Sequence, residues 1–287
     1  MRWLASVSAG CFHAAESLVR GQPLAEARLA EALAQPAAAL AEGLSGAGID
    51  LDTFFGHLVP LSVGYENHRE LASLSLTKTT GREKTQVLEG SLAGWLMGLK
   101  QAYTAALPGL LDELATRGGS IREQWEARGA GLLAAVGRRT EPGLIAERAD
   151  VALVHPATGG GAAYAPYNSV IFEAVAASPM AELPDVVRLG WLLSALNSDL
   201  PKFSENISRQ RLHRVALLAM VPAVLDAAQE VELIAPGERP LARALEAWHL
   251  DRAGPVDLAT LLGDWWETYC ESHPRWRVAL EALDRLL

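Results

Sequence analysis

The run VALVHPATGGGAAYAPYNSVIFEAV, residues 151–175, decides how this chain is read. Two apolar, β-branched segments, 150–156 and 168–175, are bounded by Pro, Gly and Asn, and short runs of that kind read as strands. Between them His155-Pro156 closes the first segment; the glycines Gly159 to Gly161, two tyrosines and Asn168 lead into the second. A structural reading makes the glycines a turn between the two strands, with the tyrosines over its edge and Asn168 opening the second strand. A functional reading makes His155 a strand-end base or ligand. The glycines then let the backbone approach a substrate, and Tyr164, Tyr167, Asn168 and Glu173 supply polar contacts.

Outside this run the chain reads as helix. The N-terminal segment reads as a helix to about Val19. In PLAEARLAEALAQPAAALAEGL, Leu24, Leu29 and Leu33 fall near helical spacing, and Pro36 marks a break or a new first turn. Asp50 and Asp52 are credible N-caps. ENHRELASLSL continues as helix, and TKTTGREKT reads as a loop. TQVLEGSLAGWLMGLKQAYTAAL carries Val87, Leu88, Leu92, Trp95, Leu96 and Leu99 as an apolar stripe. Gly118-Gly119 reads as a helix stop, and Ser120 with Glu123 as a capping box for the next helix. Pro184-Asp185 opens a further helix, and a long one from 208 to 233 contains Pro222, where a kink or junction is expected. Pro240, Asp257 and Pro274 start the last three. The expected fold is therefore mainly α: a multi-helix protein with one small β-sheet, its strands near 150–156 and 168–175. Residues 1–118 form a helical region and 119–287 a helical region enclosing the sheet; a single domain fits the pattern equally well.

Bulk composition narrows the function classes. Of 287 residues, 50% are hydrophobic and 21% charged, enough to bury a large core. A net charge of −9 argues against nucleic acid and anionic membrane as partners, because phosphate-binding faces need clustered Lys and Arg. GRRTE and SRQRLHR are short basic runs. Cys11 and Cys270 stand far apart without CxxC spacing, which points to a reducing compartment, the cytoplasm. MRWLASVSAGCF has Ala9-Gly10 before Cys11, like a lipoprotein signal. Its apolar region is short and interrupted by serines, with Ser8 where Leu or Val is usual. No membrane-spanning helix is expected, since such a span takes roughly 20 apolar residues.

Motifs of the common chemistries are missing. There is no GxGxxG, GxSxG or HExxH, and TTGREKT, with Gly81 and Lys84-Thr85, lacks the first glycine and preceding strand of a P-loop. His13 and Glu16, three apart, share a helix face and make half of a helical zinc pattern, with nothing evident to complete it. His57 and His68 are the other imidazoles of the N-terminal region. His213, His249 and His273 read as surface or cap residues. Trp265, Trp266, Tyr269 and Trp276 are either a binding platform or, at helical spacing, core.

From Arg122 to Pro201 the order is helix, strand, Gly-rich turn, strand, helix. REQWEARGAGLL, VALVHP and ELPDVVRLGWLLSAL resemble the layout of small zincin-like metallopeptidases. That resemblance implies zinc on HExxH in the second helix, but VVRLGWLLSAL holds neither His nor Glu, so no ligand carries over. The implied object is a zincin-like frame with a degenerate active site. The sequence therefore supports a non-catalytic interaction or scaffold protein, acting through apolar helical surfaces on a protein partner or on itself, without a cofactor. The alternative is a hydrolase or transferase with a site around His155, the Gly159–Gly161 turn and Glu173.

Overall fold

Four strands make one sheet: β1 (Arg2–Ala5), β2 (Asp150–Val154), β3 (Ala162–Tyr164) and β4 (Ser169–Glu173), in the order β1-β2-β4-β3. The computed structural model describes residues 1–81, 86–158, 160–174, 182–237, 240–250 and 257–287. β1 and β4 both run parallel to β2, with Leu4 beside Ala152 and Val154 beside Glu173. β3 runs antiparallel to β4 and pairs Tyr164 with Ser169. The central strands are buried on both faces, which is why both read as continuous apolar runs rather than alternating ones.

Two sequence expectations change here. The two strands of the opening run are not joined by a simple turn. They are parallel neighbours, and a parallel pair cannot be closed by a tight loop. The chain between them lays down β3, antiparallel to β4, before β4 begins. Residues 2–5, expected to be helical, form β1, and the helix α1 (Val7–Val19) begins only after Ser6, whose hydroxyl caps the Ala9 N–H at 3.1 Å. A four-residue strand has little local signal, and its partner β2 lies about 148 residues further along the chain.

Among the described residues eleven further α-helices surround the sheet. They are α2 (Ala27–Gly46), α3 (Leu51–Leu61), α4 (His68–Thr80), α5 (Gln86–Ala106), α6 (Leu110–Arg139), α7 (Asp185–Ser194), α8 (Pro201–Ser204), α9 (Arg209–Glu230), α10 (Leu241–Ala247), α11 (Leu258–Ser272) and α12 (Trp276–Leu286). The mainly α fold with one small sheet is thus the observed architecture. Adjacent strand residues point to opposite faces, and β2 shows which helices lie on each. Gly10 of α1 packs on Val154, while Gly118 of α6 packs on Leu153. α1 therefore covers one face, with α2, α3 and α5 packed around it; α6 and α7 cover the other, with α9 behind them and α10, α11 and α12 around α9.

The glycine pair at 118–119 does not end a helix. α6 runs through it, with Gly118 set against the Leu153 side chain, which a β-carbon at residue 118 would force to shift. Ser120 is accordingly an interior residue, not a cap. α2 and α9 likewise run through Pro36 and Pro222. α4 extends to Thr80 and stops at Gly81, whose φ of +67° is the left-handed cap; Lys84-Thr85 lie outside the described residues. The expected caps Asp50 and Asp257 accept from the Thr53 and Thr260 amides. Trp265, Trp266, Tyr269 and Trp276 are buried and pack on one another.

Residues 211–230 of α9 are long and apolar enough to cross a membrane, and 72% of that window is buried inside the protein.

Candidate functional site

Two short-range features place a set of polar side chains between α1 and the sheet. The Ser6 cap starts α1 directly after β1, and Gly10 lets the helix settle against Val154. His13 and Glu16, one turn further on, then face the carboxyl ends of β2 and β4. Glu173 is the last residue of β4 and shares the sheet face of Val154, its register partner. Crevices at the carboxyl ends of parallel strands are the usual ligand positions in open α/β sheets.

His13 Nε2 lies 3.0 Å from Glu173 Oε1, and both side chains are buried. The same oxygen accepts from the Thr158 amide at 3.0 Å and the Thr158 hydroxyl at 3.3 Å. Burial alone would drive the Glu173 carboxyl up. The hydrogen bond and charge of His13, with help from the Thr158 amide and Arg188, outweigh it and bring the group down to about 2. Burial also works against a charged His13, but the hydrogen bond and charge of Glu173 and the nearby Glu16 outweigh it, so the imidazole is raised above its ordinary value. The two groups form a buried hydrogen bond, an ion pair when His13 is protonated, that joins α1 to β4.

A second polar chain lies beside the first. The Tyr164 hydroxyl donates to Glu16 Oε2 at 3.0 Å, Arg20 bonds Glu16 Oε1 at 2.9 Å, and Arg20 continues to Asp52 at 3.1 Å. Both Glu16 oxygens and the His13 nitrogen nearest Glu173 thus have protein partners. Among the described residues no three of His, Cys, Asp and Glu converge as a metal site requires.

The opposite face of β4 is anchored by Arg188 of α7. This buried guanidinium donates to the carbonyl oxygens of Gly160 at 3.0 Å and Glu173 at 2.6 Å, bonds Asp185 at 2.8 Å and lies over the Phe172 ring. Glu173 is therefore gripped from both layers, by its carboxylate toward α1 and by its carbonyl toward α7.

The other sequence candidates lie apart from this pair. His155 Nε2 pairs with Glu26 at 3.3 Å. Tyr167 bonds His57 Nδ1 at 2.7 Å. Asn168 is exposed, adopts φ 44° and offers its carbonyl to the Asp150 amide, a backbone role at the entry to β4. The described glycines of the triple, Gly160 and Gly161, approach protein backbone: a side chain on them would meet the Trp248 and Ile171 carbonyls. Gly159 lies outside the described residues. His68 lies beside an open cleft of about 470 Å³ between α4 and α5, formed with Met97, Lys100, Gln101, Thr104 and Ala105. His213, His249 and His273 are exposed, the last as the left-handed cap of α11.

Residues that no sequence pattern singled out complete the picture. Tyr103 of α5 is fully buried, with its hydroxyl against Gly10 and no hydrogen-bond partner among the described residues. Burial, with Cys11, Glu173 and Glu26 nearby, pushes that phenol well above its ordinary value. His13 Nδ1 is a second buried polar atom without such a partner. No protein-family model matches the chain, and no curated protein or solved structure matches it.

Proposed function

We propose that this chain is a non-catalytic interaction or scaffold protein that works through apolar helical surfaces, in a reducing compartment such as the cytoplasm. One observation carries the reading: the polar groups that could run a reaction have each other as partners. His13 holds Glu173, Tyr164 and Arg20 hold Glu16, Glu26 holds His155 and Tyr167 holds His57. Large apolar side chains meanwhile face solvent. Val278 of α12 is 48% exposed, opposite the buried stripe of Trp276, Leu280 and Leu283, and Leu286 in the last turn is 54% exposed. The helix–sheet–helix order of residues 122–201 is the layout on which the reading of a degenerate zincin-like frame rests.

The test is a screen of ester, amide, phosphoester and glycoside substrates on the purified chain and on its Glu173→Gln variant. No turnover above background is expected. Turnover that falls in the variant overturns the reading.

A second reading has its own support. His13 Nδ1 and the Tyr103 hydroxyl are buried without hydrogen-bond partners among the described residues, and Glu173 closes a parallel strand, where ligands bind in related sheets. A hydrolase or transferase would then use neutral His13 as base through Nδ1, with Nε2–H donated to Glu173 and Tyr103 nearby as donor. Its signature in the same screen is turnover lost in both Glu173→Gln and Tyr103→Phe.

A further inference from the structure

We propose that the outer edge of β1 is a self-association surface: two copies of the chain join their sheets by pairing β1 with β1, antiparallel, about a two-fold axis beside Leu4. This surface is distinct from the apolar helical faces invoked above and does not depend on whether the chain is catalytic.

The ladder with β2 uses only one side of β1. The Arg2 amide donates to the Ala149 carbonyl at 3.0 Å and the Ser6 amide to the Leu153 carbonyl at 3.1 Å, with Arg2 beside Asp150 and Ala5 beside Leu153 in register. Successive residues of a strand turn their backbone groups to opposite sides, so a neighbour on one side is served by every second residue. Arg2, Leu4 and Ser6 therefore serve β2, and the N–H and C=O groups of Trp3 and Ala5 point to the open side. These groups have no hydrogen-bond partner among the described residues.

Edges of this kind are commonly blocked by a lysine, a proline or a bulge. β1 carries none of them. Its sequence is Arg-Trp-Leu-Ala, it pairs with β2 without interruption, and its one charged side chain, Arg2, is bound to Asp150 at 3.0 Å. Trp3 and Leu4 are half-buried and Ala5 is exposed, so solvent reaches the row.

The row is its own complement. The two-fold axis sets Trp3 of each copy opposite Ala5 of the other, and each such pair exchanges both of its hydrogen bonds. Leu4 then meets Leu4 of the second copy as a non-hydrogen-bonded pair, the closer kind. Strand pairing of this length buries too little for a stable dimer, which takes roughly 1,200 Å² or more. The rest comes from α6, which lies over β1 and β2. With neighbouring strands about 4.8 Å apart, the same axis brings the two α6 helices to about 10 Å, a helix-packing distance. A short foreign peptide satisfies the same backbone groups but brings no second helix. A second copy of this chain fits both layers.

Sedimentation velocity of the full chain over a concentration series, under reducing conditions, is expected to show a reversible monomer–dimer equilibrium. Ala5→Pro removes one outward N–H from each copy and leaves the β1–β2 bonds in place, because proline is accommodated in an edge strand with its nitrogen toward solvent. That variant is expected to keep the native circular dichroism and to raise the dimer dissociation constant about tenfold or more. Leu4→Cys reads the register, in a Cys270→Ser background that removes the exposed native thiol. At the axis the two introduced thiols are close enough to oxidise to a disulfide-linked dimer, whereas those of Arg2→Cys are not. Four results overturn the proposal: a native chain that is monomeric throughout, a dimer that Ala5→Pro leaves equally tight, no cross-link in Leu4→Cys, or a cross-link that forms as readily in Arg2→Cys. If Ala5→Pro does not fold, the pair of cysteine variants decides.

Discussion

The Tyr103 hydroxyl lies so close to Gly10 that a β-carbon at residue 10 would meet it at 2.6 Å, and Val154 Cβ at 3.3 Å. The N-terminal helix thus reaches the sheet only because residue 10 has no side chain. Gly10→Ala is expected to destabilise the protein by about 1–3 kcal/mol through overpacking, outweighing a helix-propensity gain of about 1 kcal/mol. Tyr103→Phe alone is expected to be neutral or stabilising, since the hydroxyl it removes is buried without a hydrogen bond among the described residues. The double variant should recover much of the loss. Urea denaturation of the four proteins closes the cycle; strictly additive effects would show that the two groups do not meet.

Trp191 of α7 is buried, stacks on Trp248 with ring centroids 4.7 Å apart, and donates its indole N–H to the Leu217 carbonyl at 2.8 Å. Trp191→Ala is expected to cost about 3–5 kcal/mol, as large aromatic truncations in a core do. A melting temperature equal to that of the native chain would place this face outside the core.

Arg188 grips two carbonyls at the end of β4. Arg188→Leu fills much of the same volume but takes away the hydrogen bonds that both oxygens accept from the guanidinium. At about 1.5–3 kcal/mol for each hydrogen bond to a charged group, a loss of several kcal/mol is expected in chemical denaturation. Arg188→Lys should fall between, because an ammonium cannot reproduce the planar fork that reaches both oxygens. Equal stability of the Leu variant and the native chain would rule the clamp out.

Gly161 and Gly21 both have positive φ, +105° and +70°, but only Gly161 is crowded, with the Ile171 carbonyl oxygen 2.5 Å from where a β-carbon would stand. Gly21→Ala should cost about 1–2 kcal/mol from backbone strain alone. Gly161→Ala adds a clash of about 1–3 kcal/mol with main chain that cannot rotate away. Side-by-side thermal melts test the order, and a reversed order would mean that the β4–Gly161 approach is looser than described.

Local chemistry was legible where it was self-contained. Asp50 and Asp257 are caps because each needs only a Thr amide three residues on. β2 and β4 stood out because strands buried on both faces are unbroken apolar runs. Gly118-Gly119 misled because a glycine pair signals a stop only if nothing lies against it, and here Leu153 does. Within the site, His13, Glu16, Tyr164 and Glu173 each drew attention by residue type. Their arrangement did not: His13 and Glu173 are 160 residues apart, and Tyr164 and Glu16 are 148 apart. Thr158, Tyr103 and Arg188 carry no pattern at all, because what marks them is the atoms they meet.

By itself the sequence determined a helix-rich chain with two central strands, an oily interior and no common catalytic motif, since periodicity, propensity and motif spacing are properties of neighbours along the chain. Only the tertiary structure decided that the strands run parallel, that residues 2–5 join them, and that one carboxylate at the end of β4 is held by an imidazole from one helical layer while its own carbonyl is held by a guanidinium from the other. Those are contacts between distant segments. They are set by how the layers bury their apolar faces together, which no local pattern encodes.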